Sequence, residues 1–396
     1  MKLKITRWLP IAWALLPLTA ASAPLADIKL TSQIDTLLDM SVEINGVKGW
    51  LAVDTGAMST FLDQSLAKDL KVSLTPVQGK SIGIGGSSNN ESGEITVRVP
   101  GHPPKDFPTL SGKHNFSVMG EETTTTSLGR KFGSIGLPEL MAAGAIIDCA
   151  GSRLILHPEG DFHRPQKSVE LTMLRYADGS KALFKISRAL KGIVELEVKG
   201  KFLWAVPVKI ANKVGVMVVD TGCESTIFTQ DFAKLVGIEP TGERAITTGV
   251  GPGSQIVAPC TLPDLLLDGK LQLGKIQGFC DGSKFLYGLN DIAGGDLPVI
   301  GILGLDQLTR CKAFIDCKRG VIYTTSEPLK RERPNSWIVD GPKAVECLAN
   351  AGDKEAKKIL KNIEENGAKL DLKQATKFIE QAVQKGLLKE DEKSAP

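Results

Sequence analysis

The chain has 396 residues, 42% of them apolar, enough for two or three domains with cores of their own. Its formal charge of +3 vanishes once Lys2, Lys4 and Arg7 of the N-terminal segment are set aside, leaving 48 − 3 = 45 basic against 45 acidic residues. That balance gives no electrostatic basis for binding nucleic acid or an anionic surface.

In chain order, residues 1–23 come first: a basic stretch, an apolar run from Trp8 to Ala20, and Ala21-Ser22-Ala23. This is the pattern of an export signal, and the run is too short, and too interrupted by Pro10 and Pro17, to stay as a membrane span. The expected location is therefore periplasmic or secreted. Next, Ser41–Ile44 and Trp50–Val53 read as strands about an Asn45-Gly46 hairpin turn. A short helix is expected around Leu62–Leu70, then a glycine-rich segment at 82–86, then closing strands at 145–148 and 154–156. The same order recurs further on: strands at 208–210 and 216–219, a helix around Gln230–Val236, glycines at 249–253, and closing strands at 313–316 and 321–323. Residues 342–389 differ, with apolar Ala356, Ile359, Leu360 and Ile363 at helical spacing and many Lys and Glu, predicting two or three amphipathic helices.

The recurrence is an internal repeat. Val42–Lys68 set over Val208–Lys234 without a gap matches at twelve of twenty-seven positions, offset by 220 − 54 = 166. A second anchor pairs Gly133-Ser134-Ile135-Gly136-Leu137 with Gly301-Ile302-Leu303-Gly304-Leu305. Asp54 to Gly136 spans 136 − 54 = 82 residues and Asp220 to Gly304 spans 304 − 220 = 84. Two anchors at nearly equal separation imply a duplicated domain. The resulting division is 28–158, a link at 159–190, 191–325, and a helical appendage at 341–390.

All seven cysteines follow residue 148, an odd count that leaves at least one thiol unpaired within the chain. Export permits disulfides, and Cys260–Cys280 is the expected pair. There is no Cys-x-x-Cys, and His102, His114, His157 and His163 are scattered without ligand spacing, so they read as ordinary surface residues and no metal site is expected.

The chemistry lies in the tripeptides Asp54-Thr55-Gly56 and Asp220-Thr221-Gly222, each at the end of an apolar strand. Such a strand end presents a carboxylate at a cleft, glycine lets a backbone N–H approach it, and the threonine hydroxyl can tie two loops together. One carboxylate per copy becomes acid–base chemistry when the two are brought together.

With Val53-Asp54-Thr55-Gly56-Ala57, the glycine-rich Ile82-Gly83-Ile84-Gly85-Gly86 and the apolar-apolar-Gly element ending in Gly304, the chain resembles the aspartic peptidases, more closely the retropepsin-like branch than the pepsin branch. The resemblance covers roughly 37–158 and 190–325. It implies a mainly β chain of two tandem retropepsin-like β-barrel lobes (the acid-protease fold), with the helical appendage outside it. It also implies a pseudo-dimer within a monomer, Asp54 and Asp220 as catalytic carboxylates about 3 Å apart, and no cofactor. Thr55, Gly56, Thr221, Gly222, Gly136 and Gly304 would support the active-site loops. Ile82, Gly83, Ile84, Gly85 and Gly86, with Gly249, Val250 and Gly251 in the second copy, would form flaps over an extended peptide or protein substrate. Three residues depart from the pattern: Ser134 replaces an apolar residue, Cys223 follows the second tripeptide, and Pro252 would stiffen the second flap. The expected activity is that of an exported endopeptidase. The alternative is a non-catalytic peptide-binding or assembly module of the same fold.

Overall fold

Each repeat opens on an antiparallel hairpin whose turn follows from backbone sterics. Asp39–Ile44 and Val47–Val53 meet at Asn45-Gly46, both with positive φ (49° and 84°). Such a turn matches the right-handed twist of the strands it joins. Phe202–Ile210 and Lys213–Val219 make the equivalent hairpin through Ala211-Asn212, with φ of 44° and 66°. The computed structural model describes residues 24–31, 37–83, 86–107, 110–118, 125–126, 129–157, 162, 164–177, 202–240, 245–248, 254–262, 264–281, 298–325, 345–346, 348–366, 377–378, 381 and 385. The export segment 1–23 and most of the link lie outside them.

The chain is mainly β, with three sheets among the described residues. A nine-stranded sheet belongs to the first repeat and a ten-stranded sheet to the second. In each, the strand carrying the second anchor runs parallel to the one ending in Asp-Thr-Gly. Gly129–Ile135 lies beside Val47–Val53, pairing Ile135 with Val53, and Val299–Leu303 lies beside Lys213–Val219, pairing Leu303 with Val219. Elements some 80 residues apart in sequence thus meet at the Asp.

The third sheet has six strands and joins the repeats. Its order is Ala26–Lys29, Arg153–Leu156, Ala145–Asp148, Phe314–Asp316, Val321–Thr325 and Ser168–Thr172. The two closing hairpins meet at its centre, where Ile147 pairs with Ile315 and both are fully buried. The link supplies the last strand, and Leu174–Ala177 pairs with Phe202–Ile210, so part of the expected polar connection is sheet. One apolar cluster runs through both repeats. Burial of this kind, at roughly 25 cal/mol per Å² of apolar surface, is the main force holding the halves together.

The two repeats differ after the tripeptide. The second has a helix, Gln230–Leu235, capped by the Thr229 hydroxyl accepting from the Phe232 amide. In the first, the helix expected over Leu62–Leu70 is only a 3-10 turn, Gln64–Leu66. Leu62 is held in the strand Phe61–Asp63 by partners on both sides, and tertiary pairing overrides local helix propensity.

The histidine expectation also needs correction. His114 lies buried in the strand Gly112–Ser117, and His157 is buried edge-on to Phe162, their centroids 6.0 Å apart. Neither is a surface residue.

C-terminal to the sheets, Lys354–Asn366 is an amphipathic helix, with the Asp353 carboxylate accepting from the Glu355 and Ala356 amides, each at 3.1 Å. Ala356 packs with Val345, Leu348, Ala349 and Phe378 in a small core of its own. Among the described residues no helix is long and apolar enough to cross a membrane.

Candidate active site

Asp54 and Asp220 stand at the ends of the strands Val47–Val53 and Lys213–Val219, and the fold brings them face to face, with their carboxyls in hydrogen-bond contact. Both are half-buried, walled by protein and open to solvent on one side. Each is fixed by its own loop. The Gly56 amide donates to Asp54 Oδ1 at 2.9 Å and the Gly222 amide to Asp220 Oδ1 at 2.8 Å. A Cβ at Gly56 would collide with the Asp220 carboxyl, and one at Gly222 with that of Asp54. Glycine is thus required here less for its φ than because the opposite lobe's acid fills the space.

The threonines interlock the loops. Thr55 Oγ1 donates to the Val219 carbonyl at 2.7 Å and accepts from the Thr221 amide at 3.0 Å. Thr221 Oγ1 donates to the Val53 carbonyl at 2.6 Å and accepts from the Thr55 amide at 3.1 Å. Both side chains are fully buried, so these four bonds form out of water.

Behind the loops the second anchor repeats the same symmetry. The Asp54 amide donates to the Ile135 carbonyl and the Asp220 amide to that of Leu303, both at 3.1 Å. The Gly136 amide donates to Thr60 Oγ1 at 2.9 Å, and the Gly304 amide to Thr226 Oγ1 at 3.1 Å. A side chain at Gly136 or Gly304 would strike the backbone of Ser59 or Ser225. Thr60 and Thr226 were not among the residues expected to support the site, although both stand among the repeat's identities.

Of the flap residues, Ile82, Gly83 and Gly86 belong to a hairpin of Thr75–Gly83 and Gly86–Ile95 that closes on the Gly83–Gly86 pair. Ile84 and Gly85 lie outside the described residues. In the second repeat Ala245–Thr248 and Ser254–Leu262 pair as a hairpin, while Gly249, Val250 and Gly251 lie outside. The two hairpins occupy like positions along the repeats.

Electrostatically the pair is a proton-sharing site. Burial, and then the charge of Asp54, push the Asp220 carboxyl well above the usual carboxylate range. Burial also raises Asp54, offset by the hydrogen bond from Asp220, the Gly56 amide, the charge of Lys131 and the Ser134 hydroxyl. Two carboxylates so close cannot both ionise cheaply, so they titrate as a unit. Cys223 is half-buried, its Sγ donating to the Ser225 carbonyl at 3.1 Å. Burial, then the charge of Asp220, push its thiol well up, away from nucleophilic character.

Asp306 is a buried acid that the repeat comparison missed, because its counterpart in the first copy is Pro138. Its carboxylate accepts from Thr226 Oγ1 and the Gln307 amide, both at 2.7 Å, yet burial pushes it up to about 6. With the folded value above the unfolded one, the native state binds the proton more tightly. The resulting stabilisation is complete below the unfolded value near 4 and is lost as pH rises through about 6. Asp306→Asn should therefore flatten the fall in Tm between pH 4 and pH 7.5. Calorimetric scans of both proteins across that range check this, and parallel curves would contradict it.

Residues 40–132 match the family model described as aspartyl protease. Among solved structures, a retropepsin-like aspartic protease from Rickettsia conorii aligns at 22% identity over 31% of this chain and 80% of its own, with a TM-score of 0.22. The aspartic proteinase from Irpex lacteus aligns at 13% identity over 78% of this chain and 99% of its own, with a TM-score of 0.40. No curated protein matches the chain. By the family match of its first repeat, the chain is an aspartic peptidase in type.

Proposed function

We propose that the chain is an exported aspartic endopeptidase that hydrolyses peptide bonds with a water activated between Asp54 and Asp220. The observation that carries this reading is the contact of two half-buried carboxyls, one from each lobe, each held by a glycine amide of its own loop. The ionised member takes a proton from water as the water oxygen attacks the peptide carbonyl, and the protonated member gives its proton to the carbonyl oxygen. The C–N bond of the resulting diol then breaks. The nitrogen takes the proton that came from water, and a diol hydroxyl returns one to the other carboxylate. The hairpins on either side would lie along an extended substrate backbone and exclude water.

Both acids come from one chain, so the active species is a monomer containing a pseudo-dimer. A statine-type peptide, which mimics the tetrahedral intermediate, should abolish cleavage at one inhibitor per chain, with all activity in the monomer peak of size-exclusion chromatography. Tight statine binding by a protein that cleaves nothing would favour the binding-module alternative. Activity confined to a dimer peak would contradict the single-chain site.

Export also makes a disulfide available. The six described cysteines are thiols, and Cys260 and Cys280 touch across neighbouring strands, Cys260 pairing with Gly278 and Ala258 with Cys280. Thiol–disulfide exchange with an oxidised partner would join the two sulfurs, passing two electrons and two protons to that partner. Closing this loop of roughly 20 residues should stabilise the fold by about 3 kcal/mol. Non-reducing peptide mapping of protein recovered from its native compartment should find the linked pair. Finding both thiols free would count against the bridge and against an oxidising compartment.

A further inference from the structure

The repeat makes the two halves of the site nearly superimposable, and Ser134 is where they cease to be. It lies in Gly129–Ile135, paired with Ala52 on one side and Phe61 on the other, and is 3% exposed. Its hydroxyl donates to the Asp54 carboxylate. The same place in the second lobe, between Val218 and Ile227, holds Ile302, which has no donor. The charged surroundings lean the same way. Lys131, on the strand of Ser134, favours negative charge on Asp54. On the other side, Glu224 and Asp306 bear on Cys223 next to Asp220, and both are acidic. Backbone donors do not break the tie, since Gly56 and Gly222 serve their own acids alike.

We infer that Ser134 is a positioning residue that makes the dyad asymmetric: its hydroxyl holds Asp54 as the ionised member, leaving the shared proton on Asp220. Under the peptidase reading, on which this second step rests, Asp54 is the base that deprotonates water and Asp220 the acid that protonates the carbonyl oxygen. A buried hydroxyl in a strand otherwise lined by apolar residues has a reason to be there only if something accepts its proton, and Asp54 does. An apolar residue at 134, as at 302, would leave the two acids distinguished by Lys131 alone.

The test is a carboxyl titration that does not depend on turnover. In full-length chain labelled with ¹³C at the aspartate carboxyls, the Asp54 and Asp220 resonances, assigned through Asp54→Asn and Asp220→Asn, are followed across pH for wild type, Ser134→Ala and Ser134→Thr. In Ser134→Ala the lower apparent pKa of the pair should rise by about half a pH unit or more, because a hydrogen bond to the ionised form is lost. Ser134→Thr, which keeps the hydroxyl, should titrate as wild type. In active protein the acid limb of kcat/KM should move by the same amount. If the alanine variant fails to fold, Ser134→Cys supports the same comparison through a weaker donor. An unmoved titration in folded Ser134→Ala or Ser134→Cys, or an equal shift in Ser134→Thr, would overturn the inference. A shifted titration in a chain that cleaves no peptide would uphold Ser134's role and overturn only the peptidase reading.

Discussion

Replacing either Asp54 or Asp220 by Asn is expected to cut kcat/KM for peptide hydrolysis by several orders of magnitude while leaving the melting profile close to wild type. Asn is nearly isosteric and can still accept the Gly56 or Gly222 amide, so the loop loses little. It cannot exchange the proton that the pair shares. Because the two acids act as one unit, the double variant should be scarcely worse than either single one. In wild type, activity should peak at acid to mildly acid pH and fall as the shared proton leaves. Burial and mutual repulsion set that loss above the ordinary carboxylate range. Near-normal turnover by one intact Asn variant would rule out a two-carboxylate mechanism.

The second large effect should come from the interlocked threonines and should appear first in stability. Thr221→Val removes the donor to the Val53 carbonyl and the acceptor for the Thr55 amide, leaving both groups buried without those partners. At about 1–3 kcal/mol for each unsatisfied group, the loss should be roughly 2–5 kcal/mol. The expected fall in Tm is roughly 5–10 °C. Thr55→Val should cost a similar amount by symmetry, and the two together less than their sum, because they share one network. Activity should fall as well, since the same bonds set the spacing of the acids. Thr221→Ser keeps the hydroxyl and should remain near wild type. Chemical denaturation of the four proteins measures the coupling, and strictly additive small losses would show that the lobes are held by apolar packing alone.

The repeat made much of this arrangement legible before any coordinates. Identity at the Asp-Thr-Gly tripeptides and at the two apolar-Gly elements marks the positions that backbone crowding and the facing carboxyls restrict, and such restrictions survive as letters. The six-stranded sheet was not legible. Its outer strands, Ala26–Lys29 and Ser168–Thr172, have no repeat counterpart, and their pairing depends on how the lobes are brought together. Thr60 and Thr226 stood among the identities, yet nothing in the sequence shows that they accept the amides of glycines 76 and 78 residues away. Ser134 was visible only as a break in the repeat, and Asp306 lacked even that signal. For Leu62–Leu70 local helix propensity misled, because strand partners on both sides claim Leu62.

The central claim, that Asp54 and Asp220 together activate water against a peptide bond, is tested most directly by incubating purified wild-type chain and Asp220→Asn with a diverse peptide library from pH 3 to pH 8. Cuts are read by mass spectrometry. The account predicts wild-type cleavage in the acid range, none by the Asn variant, and suppression of every wild-type cut by a statine-type peptide. Wild type that leaves the whole library intact under oxidising and reducing conditions, or an Asn variant that makes the same cuts, would contradict it.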